Sequence, residues 1–148
     1  MAKRILVPLD ETADAQSVLE AVADMARGAG ATVRLLRVAP EPDEVVSEGH
    51  VIAYVDQEVA RLEAESLDDL RAVEARLGGI PVECAVRFGD PAREVLREAE
   101  AFGADLIALS TKTASSLSRA VLGSVAEHVF RKAAPAVVLY RGARQGAG

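Results

Sequence analysis

The sequence predicts an α/β fold: one domain built on a five-stranded parallel sheet in the order 3-2-1-4-5, with helices on both faces. Three features predict it. Five short strand-like runs alternate with four helical patterns along the 148 residues. Helices placed between consecutive strands act as crossovers, and crossovers give a parallel sheet covered on both sides. The first and fourth runs are apolar throughout, as central strands are, whereas the third alternates, as an edge strand can.

Each element has its own warrant. Ile5-Leu6-Val7 is a short apolar strand ending at Pro8-Leu9-Asp10. Val18, Leu19, Val22, Met25 and Ala26 form one helical stripe, which Gly28 and Gly30 are expected to stop. Thr32–Val38 is the second strand, and Ala39–His50 an acidic connection with Pro40, Pro42 and Gly49. An amphipathic helix follows over about Val51–Leu77; its charged face is expected to be solvated surface. In the third strand, Val82–Phe88, residues Val82, Cys84, Val86 and Phe88 face one way and Glu83, Ala85 and Arg87 the other. Asp90 and Pro91 open a helix as cap and first-turn residue, and Gly103 closes it. Leu106–Leu109 is the fourth strand, and Ala136–Tyr140 the fifth.

Composition narrows the function. The chain carries a net charge of −6, which argues against a nucleic-acid binder held by a basic face. No apolar run approaches the ~20 residues of a membrane span. Met1-Ala2-Lys3-Arg4 leads straight into a strand, so a cytoplasmic protein without a signal peptide is expected. The single Cys84 excludes an intrachain disulfide and lies on an apolar strand face, where an inert thiol is expected. His50 and His128 have no His or Cys at metal-ligand spacing, so neither a metal site nor a catalytic histidine is predicted. There is no P-loop motif and no nucleophile elbow.

One stretch concentrates the remaining signal. From Asp105 to Lys132 the chain passes from a strand through hydroxyl-rich Ser110-Thr111-Lys112-Thr113-Ala114-Ser115-Ser116 into a helix. Ser124 with Glu127 three residues on is a capping-box pattern that starts that helix. Helix starts attract anions through free N–H groups and the dipole. In the order 3-2-1-4-5 the chain reverses between strands 1 and 4, and open α/β sheets bind ligands at that switch. The strand ends there are Pro8-Leu9-Asp10 and Ser110-Thr111, so topology and helix start point to the same place.

With these motifs in view, the sequence resembles the universal stress protein family. The likeness is strongest at Arg4–Asp10, at Gly89-Asp90-Pro91, and at Asp105–Arg141, including Leu117-Ser118-Arg119 and Leu122–Glu127. It implies a single Rossmann-like domain, a homodimer, a cytoplasmic stress-response role and, in many members, ATP binding, here expected with Mg²⁺; the domain is expected over 1–141, and the small, polar residues 142–148 read as a flexible tail. The family's nucleotide motif, G-x-x-G-x₉-G-[ST], falls on Ser110, Thr113, Gly123 and Ser124. The last two match; Ser110 and Thr113 replace glycines and add a Cβ where backbone would approach phosphate. By the resemblance, Pro8 and Asp10 lie at the nucleoside, Val38 lies near the adenine, and Ser110, Thr113, Gly123, Ser124 and Val125 surround the phosphates. No catalytic residue is implied, and any ATPase activity is expected to be slow.

Two alternatives stand beside this. One is a stress protein that acts only through protein partners. The other is a receiver-like phosphorylatable domain, with Asp10-Glu11 as its acidic strand end and Asp90 as phosphoacceptor, although Arg141 follows the fifth strand where a receiver needs lysine. For assembly, Ala136-Val137-Val138-Leu139-Tyr140 is an apolar edge strand without charge or proline, a template for pairing with a second copy.

Overall fold

In the computed structural model, the described residues are 3–9, 15–41, 51–111 and 124–141. The elements run β1 (Arg4–Pro8), α1 (Ala15–Ala29), β2 (Thr32–Ala39), α2 (Val51–Glu74), β3 (Val82–Phe88), α3 (Pro91–Phe102), β4 (Leu106–Thr111), α4 (Ser124–Lys132) and β5 (Ala136–Arg141). All four strand pairings are parallel, and the order is β3-β2-β1-β4-β5. The expected fold and strand order hold.

The order follows from which strands are apolar on both faces. In β1, Ile5 and Val7 pack into a core with α1 and α2, while Leu6 joins a second core under α3 and α4. The first core centres on Val18, Val22, Val33, Leu35 and Leu70, and the second on Leu36, Val95, Phe102, Ile107 and Val129. A strand with two buried faces has no polar side to turn to water, so β1 and β4 sit inside the sheet. Strand β3 keeps its alternation: Val82, Cys84 and Val86 pack on the first core and Ala85 on the second.

Local signals set the ends of α3. The Asp90 carboxylate accepts from the Arg93 backbone N–H at 3.0 Å, Pro91 stands in the first turn, and Gly103 closes the helix at φ 70°. The left-handed region costs glycine nothing and other residues about 1–2 kcal/mol.

Several boundaries differ from expectation; β1 spans Arg4–Pro8 and β5 reaches Arg141 rather than Tyr140. Gly28 lies inside α1; the helix runs to Ala29, and Gly30, at φ 63°, turns the chain. The Ala31 N–H then closes back onto the Ala26 carbonyl at 3.0 Å. Helix α2 ends at Glu74 and gives way to turns before β3. Strand β2 reaches Ala39 rather than Val38. Strand β4 takes in Ser110 and Thr111, because β5 continues beside it to Arg141 and offers ladder partners at Tyr140 and Arg141.

The topology removes the receiver reading. Receivers use the order 2-1-3-4-5, which sets the third strand beside the first. Here β2 and β1 stand between β3 and β4, and β3 is at the sheet edge, so Asp90 is a helix cap remote from the end of β1.

Candidate functional site

The switch between β1 and β4 is where the sheet comes apart. Register pairs join β1 to β2 from Arg4↔Thr32 to Pro8↔Leu36, and β4 to β5 from Leu106↔Ala136 to Thr111↔Arg141. Strands β1 and β4 pair only at Ile5↔Leu106 and Leu6↔Ile107. Beyond that point β1 stays with β2, and the Leu9 N–H donates to the Leu36 carbonyl at 2.8 Å. Two neighbouring strands that part towards their carboxyl ends leave a crevice there, and in open α/β sheets that is the ligand position.

Of the residues predicted to line it, five are described. Pro8 ends β1, half-buried; Val38 lies near the end of β2, beside Arg87 in register; Ser110 is the fifth residue of β4, paired with Tyr140. Ser124 and Val125 are the first two residues of α4; Ser124 is exposed, and Val125 packs on the second core. The fold thus places Pro8, Val38 and Ser110 towards the carboxyl edge of the sheet. Helix α4 packs on β4 and β5 as the crossover between them, so its start faces the same edge. Asp10, Thr113 and Gly123 lie outside the described residues, as do His50 and the tail 142–148.

The start of α4 is electrostatically mixed. Its free N–H groups and dipole favour an anion, while Glu127 in the first turn opposes one. The Glu127 carboxylate pairs forward with Arg131 at 2.6 Å, which offsets the local negative charge. His128 is exposed on the same helix. No group of three or more His, Cys, Asp or Glu able to hold a metal occurs among the described residues.

The long-range ion pairs that β2 and β3 make with the helices are not visible in the sequence pattern. Arg37, one residue before Val38, has a side chain only 13% exposed and reaches Asp69 of α2 at 3.1 Å. Its Nε is buried without a hydrogen-bond partner. On the other face, Arg34 and Arg87 hold Glu98 at 3.0 Å each, and Arg87 and Arg97 hold Glu94 at 3.3 and 3.0 Å. Burial pulls the Arg34 guanidinium pKa down, but hydrogen bonds and charges from Glu83 and Glu98 more than offset this and leave it raised. Arg34 also lies over the Phe102 ring, 4.2 Å from its centroid. The sequence signals were the charges Arg34 and Arg37 within β2, Glu83 and Arg87 on one face of β3, and the i,i+4 spacing of Glu94 and Glu98 on α3.

Cys84 is half-buried and its thiol donates to Glu74 at 3.5 Å. Burial, followed by the Glu74 hydrogen bond, pushes its pKa up to about 11. The thiolate is therefore scarce near neutrality, in keeping with the inert thiol expected.

Comparison with known proteins agrees with this architecture. The model of the universal stress protein family matches residues 1–141. The chain is 26% identical over 148 residues to universal stress protein YxiE of Bacillus subtilis, covering 95% of this chain and 100% of that protein. The solved structure of hypothetical protein MJ0577 superposes with a TM-score of 0.82 at 25% identity, over 98% of this chain and 99% of that one. The universal stress protein from Archaeoglobus fulgidus, solved in complex with dAMP, superposes with a TM-score of 0.64 at 20% identity, over 93% and 96%. A five-stranded sheet that parts between β1 and β4, with a family match across nearly its whole length, makes this chain a member of the universal stress protein family.

Proposed function

We propose that this protein is a homodimeric, adenine-nucleotide-responsive stress-response module of the cytoplasm that binds ATP with Mg²⁺ at the β1–β4 crevice. The observation that carries the proposal is the short β1–β4 ladder, which ends at Leu6 and Ile107 and opens the sheet beside Ser110 and the start of α4. The relative solved with dAMP supports an adenine nucleotide as ligand class.

In this proposal the nucleoside lies across the ends of β1 and β2, at Pro8, Asp10 and Val38. The phosphates lie at Ser110, Thr113, Gly123, Ser124 and Val125. The described residues fit such a ligand chemically. Ser110 and Ser124 bring hydroxyl donors, and α4 brings N–H groups and a dipole. Mg²⁺ would be held chiefly by the phosphates, with Asp10 the one acidic residue proposed for the site. No residue is proposed as a catalytic base, so the protein acts as a binding module, and any hydrolysis of ATP is slow. The nucleotide-binding domain spans 1–141, and 142–148 is a tail.

Dimerisation is proposed through β5. It is an end strand of the sheet, and Ala136-Val137-Val138-Leu139-Tyr140 is apolar throughout. Antiparallel pairing with the same strand of a second copy would continue the sheet across a two-fold axis.

Titration calorimetry with ATP and Mg²⁺ tests the ligand. Saturable binding that weakens on Asp10→Ala and Ser124→Ala is expected. Absence of binding at millimolar ATP would sink the nucleotide proposal and leave a module that works only through protein partners.

A further inference from the structure

We infer that Arg37 is a phosphate-binding residue of the nucleotide site, one that leaves Asp69 of α2 when the ligand enters and donates to its phosphate oxygens instead. The inference rests on the nucleotide reading above and supplies the cation that reading lacks. None of the residues proposed for the site carries a positive charge; its polar side chains are hydroxyls and the Asp10 carboxylate. Arginine is the side chain best suited to phosphate, because its planar fork can donate to two oxygens at once.

The register puts Arg37 at the right height. Arg34 stands beside Leu6, and Leu6 beside Ile107. Three residues further on, Arg37, Leu9 and Ser110 fall on one row at the carboxyl edge. Side chains alternate along a strand. Val33 and Leu35 pack into the first core, so Arg37 faces the same side, as its contact with Asp69 shows. Ala108 also packs into the first core, which turns Ser110 that way too. Two strand spacings, about 10 Å, separate Arg37 from Ser110. Leu9 fills the row between them and is buried. The guanidinium can therefore approach Ser110 only over the top of β1, where β1 and β4 have parted. That is the mouth of the crevice.

The present partner of Arg37 is a weak hold. The Asp69 side chain is 63% exposed, and an ion pair screened by water contributes little. The Nε of the same guanidinium is buried without a hydrogen-bond partner. A buried donor on a charged group costs more, left unpaired, than such a surface pair returns. Arg34 makes the contrast. On the other face of the same strand its Nε donates to Glu83 at 2.9 Å and its Nη1 to Glu98 at 3.0 Å, so nothing is left for a ligand to satisfy. A phosphate offers several acceptor oxygens. Exchanging Asp69 for phosphate gives the unpaired Nε–H an acceptor and frees a carboxylate that water already solvates.

Titration calorimetry with ATP and Mg²⁺ on wild type, Arg37→Gln, Asp69→Asn and the double variant tests this, with far-UV circular dichroism as the check on folding. Arg37→Gln is expected to weaken ATP about tenfold or more, as the loss of a charged hydrogen bond does. Asp69→Asn removes the competing carboxylate at an exposed position and is expected to tighten ATP severalfold. It decides the matter even where Arg37→Gln fails to fold. In the Arg37→Gln background the gain from Asp69→Asn should vanish, because Asp69 acts through Arg37 alone. Unchanged affinity in Arg37→Gln, or no gain in Asp69→Asn, would make the pair a structural tie and overturn the inference while the nucleotide reading stands. A gain from Asp69→Asn that persists without Arg37 would be long-range charge and would overturn the partner exchange likewise. A wild type that binds no ATP at millimolar concentration would remove the reading and the inference together.

Discussion

At the β3 edge of the sheet, every strand charge has a partner; at the β5 edge there is no charge to satisfy before Arg141. Glu83 of β3 holds Arg34 of β2, and Arg87 of β3 holds Glu94 and Glu98 of α3. On the opposite face, Val82, Cys84 and Val86 lie under α2. Another strand pairing there would have to accommodate side chains already committed to ion pairs. At β5, Val137 and Leu139 reach the second core and Val138 stays half-buried. One edge is closed by charge and the other is apolar, and the difference is written in side chains rather than in backbone.

The largest expected effect comes from making the two edges alike. Val138→Lys puts a charge into the β5 edge where the proposed dimer would bury it. Leaving such a charge without a partner is strongly unfavourable, so a hundredfold or greater weakening of the dimer is expected, about 2.7 kcal/mol. Sedimentation equilibrium reads it. A mutant dimer as tight as wild type would show that the apolar edge is not the contact.

Removing charge from the other edge should cost stability and leave assembly alone. Glu98 is 6% exposed and holds both Arg34 and Arg87 at 3.0 Å. Breaking a fully buried pair costs about 3–5 kcal/mol. The side chains of the two arginines are 25% and 29% exposed, so water recovers part of the loss. Glu98→Ala is therefore expected to cost about 2 kcal/mol and to lower the thermal midpoint by about 4–8 °C. Glu83 binds the same Arg34 with its own side chain 51% exposed. Glu83→Ala should cost less than about 1 kcal/mol. Equal losses in the two variants, measured by denaturant unfolding, would mean that burial does not set the strength of this network.

Between the edges lies the crevice, and it takes the next prediction. Ser110 stands in β4 as a strand residue rather than in the loop, and its Cβ is carried on paired backbone. If Ser110 and Thr113 crowd a phosphate, Ser110→Gly/Thr113→Gly should tighten ATP severalfold in calorimetry. Unchanged or weaker affinity would mean that the hydroxyls contribute to binding.

These contrasts also mark what the sequence could convey. Strand order was legible because it depends on how many faces of each strand are apolar, as in Ile5-Leu6-Val7 against Val82–Phe88. Both ends of α3 were legible because Asp90, Pro91 and Gly103 act within one turn of themselves. The end of β4 was not: Ser110 and Thr111 have loop-like composition, and only their pairing with Tyr140 and Arg141 makes them strand. Of Gly28 and Gly30, composition could not say which turns the chain; the positive φ at Gly30 does. The Arg34–Glu98 pair spans 64 residues, so no local pattern announces it. At the candidate site the crevice was legible as topology, but the early end of the β1–β4 ladder was not, since Val7 and Ala108 look like ordinary strand residues.

Alkaline pH tests how completely β3 is covered on its α2 side. Cys84 donates to Glu74 there, and burial with that carboxylate holds the thiol at a pKa of about 11, against about 8.5 in an unfolded chain. The neutral thiol is thus favoured in the folded state. Between pH 8.5 and 11 the unfolded chain releases this proton while the folded one retains it. The contribution of Cys84 is therefore fully present below about pH 8.5 and is lost as pH rises through 11. Tyrosines and lysines titrate in the same window, so the comparison must be with Cys84→Ala, which keeps them all. Wild type should lose stability more steeply than Cys84→Ala over that range, by denaturant unfolding at each pH. Alkylation of the folded protein at pH 7.5 should be far slower than that of a free thiol, because so little thiolate exists. A pH slope identical in the two proteins, together with rapid alkylation, would mean that water reaches the inner face of β3 and that this edge is closed on its α3 side only.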